Sequence, residues 1–277
     1  MLGRTLVSEL SGDFETIATD LPEVDITDEK SIESAIAKHA PDAVIHCAAM
    51  TAVDRCESER ELAFRLNETG SANVAAACRR HGVRLVAIST DYVFDGDADG
   101  PYSESDIPTG GRTVYGQSKF AGEEAVRRLC PDHVVARISW LYGSGGPSFV
   151  HAMMSLADGS RPILKVVADQ HGNPTSAIAV ARALRGILLR PELRGTFHLT
   201  CEGEASWADF AEEIFKRAGI CQKVQRCTAE EFPRPAPRPK NSRLEKAALR
   251  LAGLPPMPEW KDALAEFMEA EFPRKAR

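Results

Sequence analysis

A tyrosine and a lysine four residues apart are the side chains in this sequence best suited to acid–base chemistry. They are Tyr115 and Lys119, at the two ends of the stretch YGQSK (115–119). This stretch lies near the start of a predicted helix over about 113–129, which places both side chains on the same face. An ammonium group beside a phenol favours the phenolate and lowers a pKa that is ordinarily about 10. Such a phenol can exchange a proton with a carbonyl oxygen near neutral pH.

A third polar residue, Thr90, ends the apolar run RLVAIST (84–90), which predicts a strand. Its hydroxyl would hydrogen-bond to the same carbonyl oxygen as Tyr115. The spacing of Tyr115 and Lys119 also arises by chance on solvated helix faces. That interpretation weakens because STDYVF (89–94) stands upstream at a predicted strand end, within an alternating pattern of strands and helices.

Apolar strand-like runs alternate with helical stretches from residue 14 to about 140. The predicted strands are ETIATD (15–20), DAVIHCAAM (42–50), RLVAIST (84–90) and HVVARISW (133–140). This alternation predicts a Rossmann-type α/β fold, a doubly wound parallel sheet covered by helices on both faces. A looser pattern after residue 140 predicts a smaller mixed α/β lobe over the carboxyl ends of the strands.

We therefore expect a nucleotide-binding domain over 1–140. The rest of the chain, 141–277, is expected to form mostly a substrate-binding lobe, with segments around 161–200 returning to the sheet.

The composition is that of a soluble globular protein, with 43% hydrophobic and 27% charged residues. A net charge of -6 argues against a nucleic-acid-binding surface. No apolar run reaches the roughly 20 residues that span a bilayer, and no signal segment is expected. The seven cysteines form no CxxC pair, which favours reduced thiols and a cytoplasmic location. The histidines show no metal-ligand spacing, so no metal is expected.

Longer motifs occur in a characteristic order along the whole chain, and their order resembles that of one protein family. They are PDAVIHCAAMTAVDRCESE (41–59), STDYVFDG (89–96), PYSESD (101–106), YGQSKFAGE (115–123), RISWLYG (137–143), DQHGNPTSA (169–177) and RPKNSRL (238–244). The sequence resembles the extended short-chain dehydrogenase/reductases and, among them, the dTDP-4-dehydrorhamnose reductases. The resemblance implies NADPH- or NADH-dependent reduction of the C4 keto group of dTDP-4-dehydro-L-rhamnose, in the synthesis of surface polysaccharide.

The resemblance also implies roles for individual residues. The catalytic residues would be Thr90, Tyr115 and Lys119, and the substrate would contact Thr90, Asp91 and Trp140. Residues expected at the cofactor are Gly3, Asp20, Asp25, Ile26, Ala48, Ala49, Met50, Thr51, Tyr115 and Lys119.

Several of these residues also have a simpler interpretation. Asp20 could end a strand and begin a turn, and Trp140 could be core packing. Asn67 lies inside a predicted helix, where asparagine is a poor helix former, so a polar role near the site is one hypothesis and a surface position the other. The DQHGNPTSA motif would shape the lobe interface, although loop structure alone could explain it. The RPKNSRL motif is an extended segment that would face the nucleotide diphosphate, and the alternative is that its arginine is simply solvated.

The family's fingerprint is a first strand followed by GxxGxxG at the N-terminus of the first helix. Gly3 aligns with the last of these glycines, so the first strand and most of the glycine turn are expected to be missing from this sequence. Either the start is misassigned or the truncation is real, and the intact STDYVFDG and YGQSK motifs favour the first.

Other functions remain open at this point. The regulatory β-subunit of methionine adenosyltransferase is similar and works by binding a partner. A reductase of another sugar nucleotide, an epimerase or a dehydratase is the third option. A dehydratase is disfavoured because Tyr92, and not a glutamate, follows Asp91. The resemblance leaves a homodimer open.

Overall fold

The structure is a computed structural model, and it describes residues 1–273. Its strands are β1 (Ala43–His46), β2 (Arg84–Thr90), β3 (His133–Ile138), β4 (Leu141–Tyr142), β5 (Ile163–Val167), β6 (His171–Gly172), β7 (Thr175–Ser176), β8 (Gly195–His198), β9 (Ala205–Ser206) and β10 (Lys223–Cys227). Its α-helices are α1 (Leu2–Leu10), α2 (Glu29–His39), α3 (Val53–Ser58), α4 (Arg60–Phe64), α5 (Gly70–His81), α6 (Val114–Leu129), α7 (Phe149–Leu156), α8 (Ala177–Leu188), α9 (Trp207–Ala218), α10 (Ala247–Leu251) and α11 (Trp260–Glu271).

The central sheet has four parallel strands in the order β1-β2-β3-β8. Successive residues of its inner strands point to opposite faces. Leu85 and Val135 pack against α2, α5 and α6, whereas Val86 and Val134 pack against α1 and α8. Helices on both faces require apolar residues on both sides of a strand, and this explains the continuous apolar runs in the sequence. The predicted doubly wound α/β fold is confirmed.

The predicted strand at 15–20 is wrong. This segment has no regular secondary structure, and the Ile17 side chain is 49% exposed. A strand requires a neighbouring backbone with which to exchange hydrogen bonds. Within residues 1–273, β1 pairs only with β2 and leaves its other edge unpaired, so 15–20 has no partner.

The helix predicted around Asn67 is interrupted. A π-helical turn, Arg65–Thr69, joins α4 to α5 and contains the fully buried Asn67. Such turns insert one residue into a helix and often occur at functional sites. Here the turn directs a polar side chain into the protein interior.

The part of the chain after residue 140 contributes to the central sheet and to smaller strand pairs. β8 joins the central sheet, and α8 covers one of its faces beside α1. β5 pairs with β10, β4 with β7 and β6 with β9 in separate two-stranded units. Ser206 caps the N-terminus of α9 and forms a capping box with Asp209.

The division of the chain at 140/141 remains a prediction. No helix in the described residues is long and apolar enough to cross a membrane.

Candidate active site

The N-terminal half of α6 carries the predicted tyrosine and lysine. Thr113 caps this helix, and its hydroxyl accepts a hydrogen bond from the Gly116 amide at 2.9 Å. A side chain at Gly116 would collide with the Tyr92 carbonyl oxygen. The glycine therefore lets α6 approach the chain directly after Thr90, the last residue of β2.

Tyr115 and Thr90 meet at the carboxyl end of β2. Tyr115 is 9% exposed and Thr90 is 4% exposed. Burial raises the pKa of the Tyr115 phenol, and its hydrogen bond with Thr90 offsets part of that increase. The phenol is therefore protonated at neutral pH, which is the form that a proton donor needs.

Lys119 lies one turn further along the same face of α6. Its Nζ donates a hydrogen bond to the Ile88 carbonyl oxygen at 2.8 Å. Burial lowers the pKa of Lys119 to about 8, although the carboxylate of Glu123 acts in the opposite direction. The expected lowering of the tyrosine pKa by this lysine is not observed, because burial, Thr90, Asp91 and Cys56 are the influences on Tyr115 among the described residues.

Asp91, a predicted substrate contact, is a buried carboxyl group beside Thr90. Its Oδ1 accepts a hydrogen bond from the Thr90 hydroxyl at 2.9 Å. Its Oδ2 is buried and has no hydrogen-bond partner within residues 1–273. Burial raises the pKa of Asp91 to about 7. A buried polar atom without a partner is costly, and a polar ligand group at this position would satisfy it.

The loop after β1 brings four predicted cofactor contacts beside α6. Ala48 and Thr51 are exposed, Ala49 is half-buried, and Met50 is buried. Asn67 fixes this loop, since its amide group bonds to both the amide and the carbonyl of Met50, at 2.8 and 3.1 Å.

Asn67 also connects the loop to α6, because its Nδ2 donates to Ser118 Oγ at 2.9 Å. A side chain at Gly122 would collide with the Asn67 carbonyl oxygen, so this glycine lets α6 pack closely against the π-helical turn. The unusual asparagine within a predicted helix was the only sequence signal for this contact.

The other predicted cofactor residues lie in the N-terminal part of the chain. Gly3 is exposed on α1, and Asp20 is exposed in a turn where its Oδ1 accepts from the Leu21 amide at 2.8 Å. Asp25 accepts hydrogen bonds from the amide and hydroxyl of Thr27, which lower its pKa.

Ile26 follows Asp25 and packs against Gly70 at the start of α5. None of these contacts joins Gly3, Asp20, Asp25 or Ile26 to Thr90, Tyr115 or Lys119. Their roles at the cofactor remain predictions.

Trp140 lies after β3 in a stacked aromatic pair. Its ring is parallel to that of Trp207, with centroids 3.5 Å apart, and its Nε1 donates to Ser242 Oγ at 3.0 Å. Its backbone has φ = 45°, a conformation that is uncommon for a bulky residue. The ring is half-buried, so it has both a packing role and an accessible surface. Its contact with substrate remains a prediction.

The two motifs in the second half of the chain bond to loops rather than to the triad. Asn173 bridges the Gly203 carbonyl and the Leu244 amide, at 2.6 and 2.8 Å. Asn241 donates to the carbonyls of residues 98 and 100. Arg238 forms a two-point ion pair with Asp54, at 2.7 and 3.0 Å. The Asn173 contacts join loops within the second part of the chain, whereas those of Asn241 and Arg238 hold that part against the first.

Sequence reasoning missed four residues that support the site. They are Ser89, Glu123, Arg137 and Trp207. Glu123, one helical turn after Lys119, forms a buried two-point ion pair with Arg137. The ring of Trp207 stacks on that of Trp140. Tyr115, Lys119 and Glu123 are spaced four residues apart, and residues with this spacing share a helix face. This spacing was the sequence signal for the buried glutamate.

A buried threonine, tyrosine and lysine at the carboxyl end of a parallel, doubly wound sheet define a reductase of the Rossmann type. A family model described as "RmlD substrate binding domain" matches residues 1–272. The chain belongs to the dTDP-4-dehydrorhamnose reductase family.

Curated relatives match over nearly the whole chain. A dTDP-4-dehydrorhamnose reductase from Streptomyces griseus is 41% identical, and the match covers 100% of this chain and 93% of that protein. The spore coat polysaccharide biosynthesis protein SpsK from Bacillus subtilis is 37% identical, covering 97% of this chain and 93% of that protein.

Solved structures share the fold. The dTDP-4-dehydrorhamnose reductase from Bacillus anthracis, solved in complex with NADP, superposes with a TM-score of 0.94 at 38% identity, covering 97% of this chain and 95% of that one. A UDP-glucose 4-epimerase from Thermus thermophilus, solved with NAD, is 22% identical with a TM-score of 0.81 and covers 97% of this chain and 95% of that one. The epimerase shares the fold alone.

Proposed function

We propose that this protein is an NAD(P)H-dependent reductase that converts the C4 keto group of dTDP-4-dehydro-L-rhamnose into the hydroxyl group of dTDP-L-rhamnose. The observation that carries this proposal is the contact between Tyr115 and Thr90 at the carboxyl end of β2, with Lys119 one turn away. These three buried residues form the acid–base machinery that a carbonyl reduction needs, within a chain of the matching family.

Each member of this triad has a defined role. Tyr115 is protonated at neutral pH and donates its proton to O4 of the sugar. Thr90 hydrogen-bonds to the same oxygen. The ammonium of Lys119 then stabilises the phenolate that remains, and it bonds to the ribose of the cofactor. A positioned acid of this kind accelerates a proton transfer by about 10²–10⁴-fold.

The residues after β1 fit a dinucleotide. Ala48 and Thr51 are exposed and small, whereas the Met50 backbone between them is fixed by Asn67. NADPH or NADH, when bound, supplies the hydride for C4. The residues proposed to hold it are Gly3, Asp20, Asp25, Ile26, Ala48, Ala49, Met50, Thr51, Tyr115 and Lys119.

The proposed substrate site uses Thr90, Asp91 and Trp140. The unpartnered Oδ2 of Asp91 would bond to a sugar hydroxyl, and the half-buried face of Trp140 would pack against the sugar or the thymine. The product would serve surface polysaccharide synthesis. A cytoplasmic location fits the free cysteines of the described residues. A homodimer is proposed as its assembly.

The experiment compares Tyr115→Phe with Tyr142→Phe in turnover of dTDP-4-dehydro-L-rhamnose with NADPH and with NADH. Tyr142 is a matched control, because it is fully buried and its hydroxyl has no partner within the described residues. We expect Tyr115→Phe to lower kcat by about 10²–10⁴-fold, since it removes the proton donor. Tyr142→Phe should leave kcat within about twofold of the wild-type value.

Other outcomes would change the proposal. Wild-type protein that binds NADPH without reducing any 4-keto-6-deoxy sugar nucleotide would favour a partner-binding subunit. Faster turnover of dTDP-4-keto-6-deoxy-D-glucose would support a reductase but would identify that sugar nucleotide, and not dTDP-4-dehydro-L-rhamnose, as its substrate.

A further inference from the structure

One face of α6 continues past the catalytic residues. Tyr115, Lys119 and Glu123 are four residues apart, and all three are buried. They contact three consecutive residues of β2, because Tyr115 meets Thr90, Lys119 donates to the Ile88 carbonyl, and Glu123 accepts from the Ser89 hydroxyl. Polar contacts therefore hold this helix in one register along the strand.

The carboxylate of Glu123 is fixed by several donors. Arg137 Nε and Nη2 bond to its two oxygens at 2.9 and 2.7 Å, and Arg127 Nη2 adds a third contact at 2.7 Å. Glu123 is 3% exposed and Arg137 is 1% exposed. A buried carboxylate with this many donors stays ionised, and its pKa is lowered by Arg137 against the effect of burial.

Glu123 acts on Lys119 at a distance, while its own ion pairs are with Arg137 and Arg127. His46 and Cys47 face the ammonium from β1 and the residue after it. Burial lowers the pKa of His46 to about 3 and raises that of Cys47 to about 12, so both are uncharged at neutral pH. The Tyr115 phenol is also neutral. In the part of the chain that the structure describes, Glu123 is therefore the anion that favours the protonated lysine.

We propose that Glu123 is a positioning residue of the reductase, which keeps the ammonium of Lys119 protonated and holds Ser89 and Thr90 in register with α6. It acts through Lys119 and β2 and touches neither substrate nor cofactor. The inference deepens the proposed function and rests on it. Its direct consequence concerns the state of Lys119, which can be measured without substrate.

The test compares Glu123→Gln with Glu124→Gln. Glu124 is the matched control, because it is the next residue of α6 and is exposed, with an ion pair to Arg127. Two quantities are measured in each variant: the titration of the Lys119 Nζ by ¹⁵N NMR without substrate, assigned with Lys119→Arg, and the dependence of kcat/KM on pH.

Removing the negative charge favours the neutral amine, so the pKa of Lys119 should fall by about 1 in Glu123→Gln. The alkaline limb of kcat/KM should move to lower pH by the same amount, since the ammonium is the active form. Glu124→Gln should change neither quantity. An unchanged lysine titration in folded Glu123→Gln would overturn the proposal.

Glu123→Gln leaves Arg137 buried without its counter-ion, and the variant could fail to fold. The double variant Glu123→Gln/Arg137→Gln removes both charges, and the lysine pKa should then fall less than in Glu123→Gln, because loss of the Arg137 charge favours the ammonium. The titration and the assay also separate the two proposals. A wild-type protein without turnover contradicts the proposed function, whereas the NMR titration still decides whether Glu123 controls Lys119.

Discussion

Two regions of the molecule carry predicted contacts with the same cofactor, and they are held in different ways. The catalytic face, Thr90 with Tyr115, Lys119 and Glu123, is buried and joined by polar contacts between β2 and α6. The segment 15–26 has no strand pairing, and the side-chain hydrogen bonds of Asp20 and Asp25 are made to residues at most two positions away.

This difference matches two kinds of task. Proton transfer requires fixed groups in a water-poor environment, where burial shifts pKa values and hydrogen bonds set the geometry. Binding of an adenosine ribose requires only that an acid be near the ligand. We expect mutations on the catalytic face to be costly and equivalent mutations near 15–26 to be mild, and the following predictions test that contrast.

The largest expected effect on stability is that of Arg137→Ala. The change leaves Glu123 buried without its main partner, and breaking a buried ion pair costs about 3–5 kcal/mol. The matched change in an exposed ion pair is Arg80→Ala. It removes the pairs between Arg80 of α5 and Glu29 and Glu33 of α2. Exposed pairs contribute about 0–1 kcal/mol. Urea unfolding of both variants measures the contrast, and equal losses would contradict it.

A second contrast concerns how stability depends on pH. Burial raises the pKa of Asp91 to about 7, above the value of about 3.9 in an unfolded chain. The folded protein therefore binds this proton more tightly, so the unfolding free energy decreases as pH rises from about 4 to 7. Asp91→Asn removes this slope, and its stability relative to wild type should increase by roughly 3–4 kcal/mol across the window.

Asp25 should behave in the opposite way. Its hydrogen bonds to Thr27 lower its pKa, so its contribution is present above the unfolded value and is lost as pH falls. Asp25→Asn should therefore lose stability relative to wild type as pH rises through about 4, by a small amount because the residue is only half-buried. Unfolding curves between pH 4 and 8 give the slope of Asp91, and curves from about pH 5 downward give that of Asp25. Slopes of the same sign would refute the contrast.

The sequence predicted the catalytic face better than the segment 15–26, for physical reasons. Helical periodicity placed Tyr115 and Lys119 together, and the end of an apolar strand placed Thr90. Periodicity within one helix does not show which face is buried, so Glu123 could not be distinguished from a solvated glutamate. Local pattern also favoured a strand at 15–20, where the outcome depended on a neighbouring strand and not on the segment itself.

Contacts between distant parts of the chain were the other limit. The stack of Trp140 on Trp207 joins residues after β3 and at the start of α9, and no local pattern pairs them. The π-helical turn around Asn67 was signalled only by a poor helix former within a helix. The hydrogen bonds of Asn67 to Met50 could not be predicted from the sequence, because they join two segments that are distant along the chain.

The smallest contrast compares two buried or partly buried asparagines that each hold a loop. Asn67→Ala leaves the Met50 amide without its partner and removes one bond each from the Met50 carbonyl and the Ser118 hydroxyl, and we expect a loss of about 2 kcal/mol. Asn73→Ala removes a single bond to the Ile26 carbonyl, in a partly buried position, and should cost about 1 kcal/mol or less.

The affinity for NADPH should distinguish Asn67→Ala from Asn73→Ala more clearly than their stabilities do. Asn67 fixes the loop after β1 against α6, so Asn67→Ala should also weaken NADPH binding, measured by nicotinamide fluorescence, by about tenfold for each 1.4 kcal/mol of lost preorganisation. Asn73 supports Ile26 on the side of the weakly held segment, so its variant should bind NADPH with nearly wild-type affinity. A larger loss of affinity in Asn73→Ala would mean that the segment around 25–26, and not the loop after β1, is the part of the site whose rigidity determines binding.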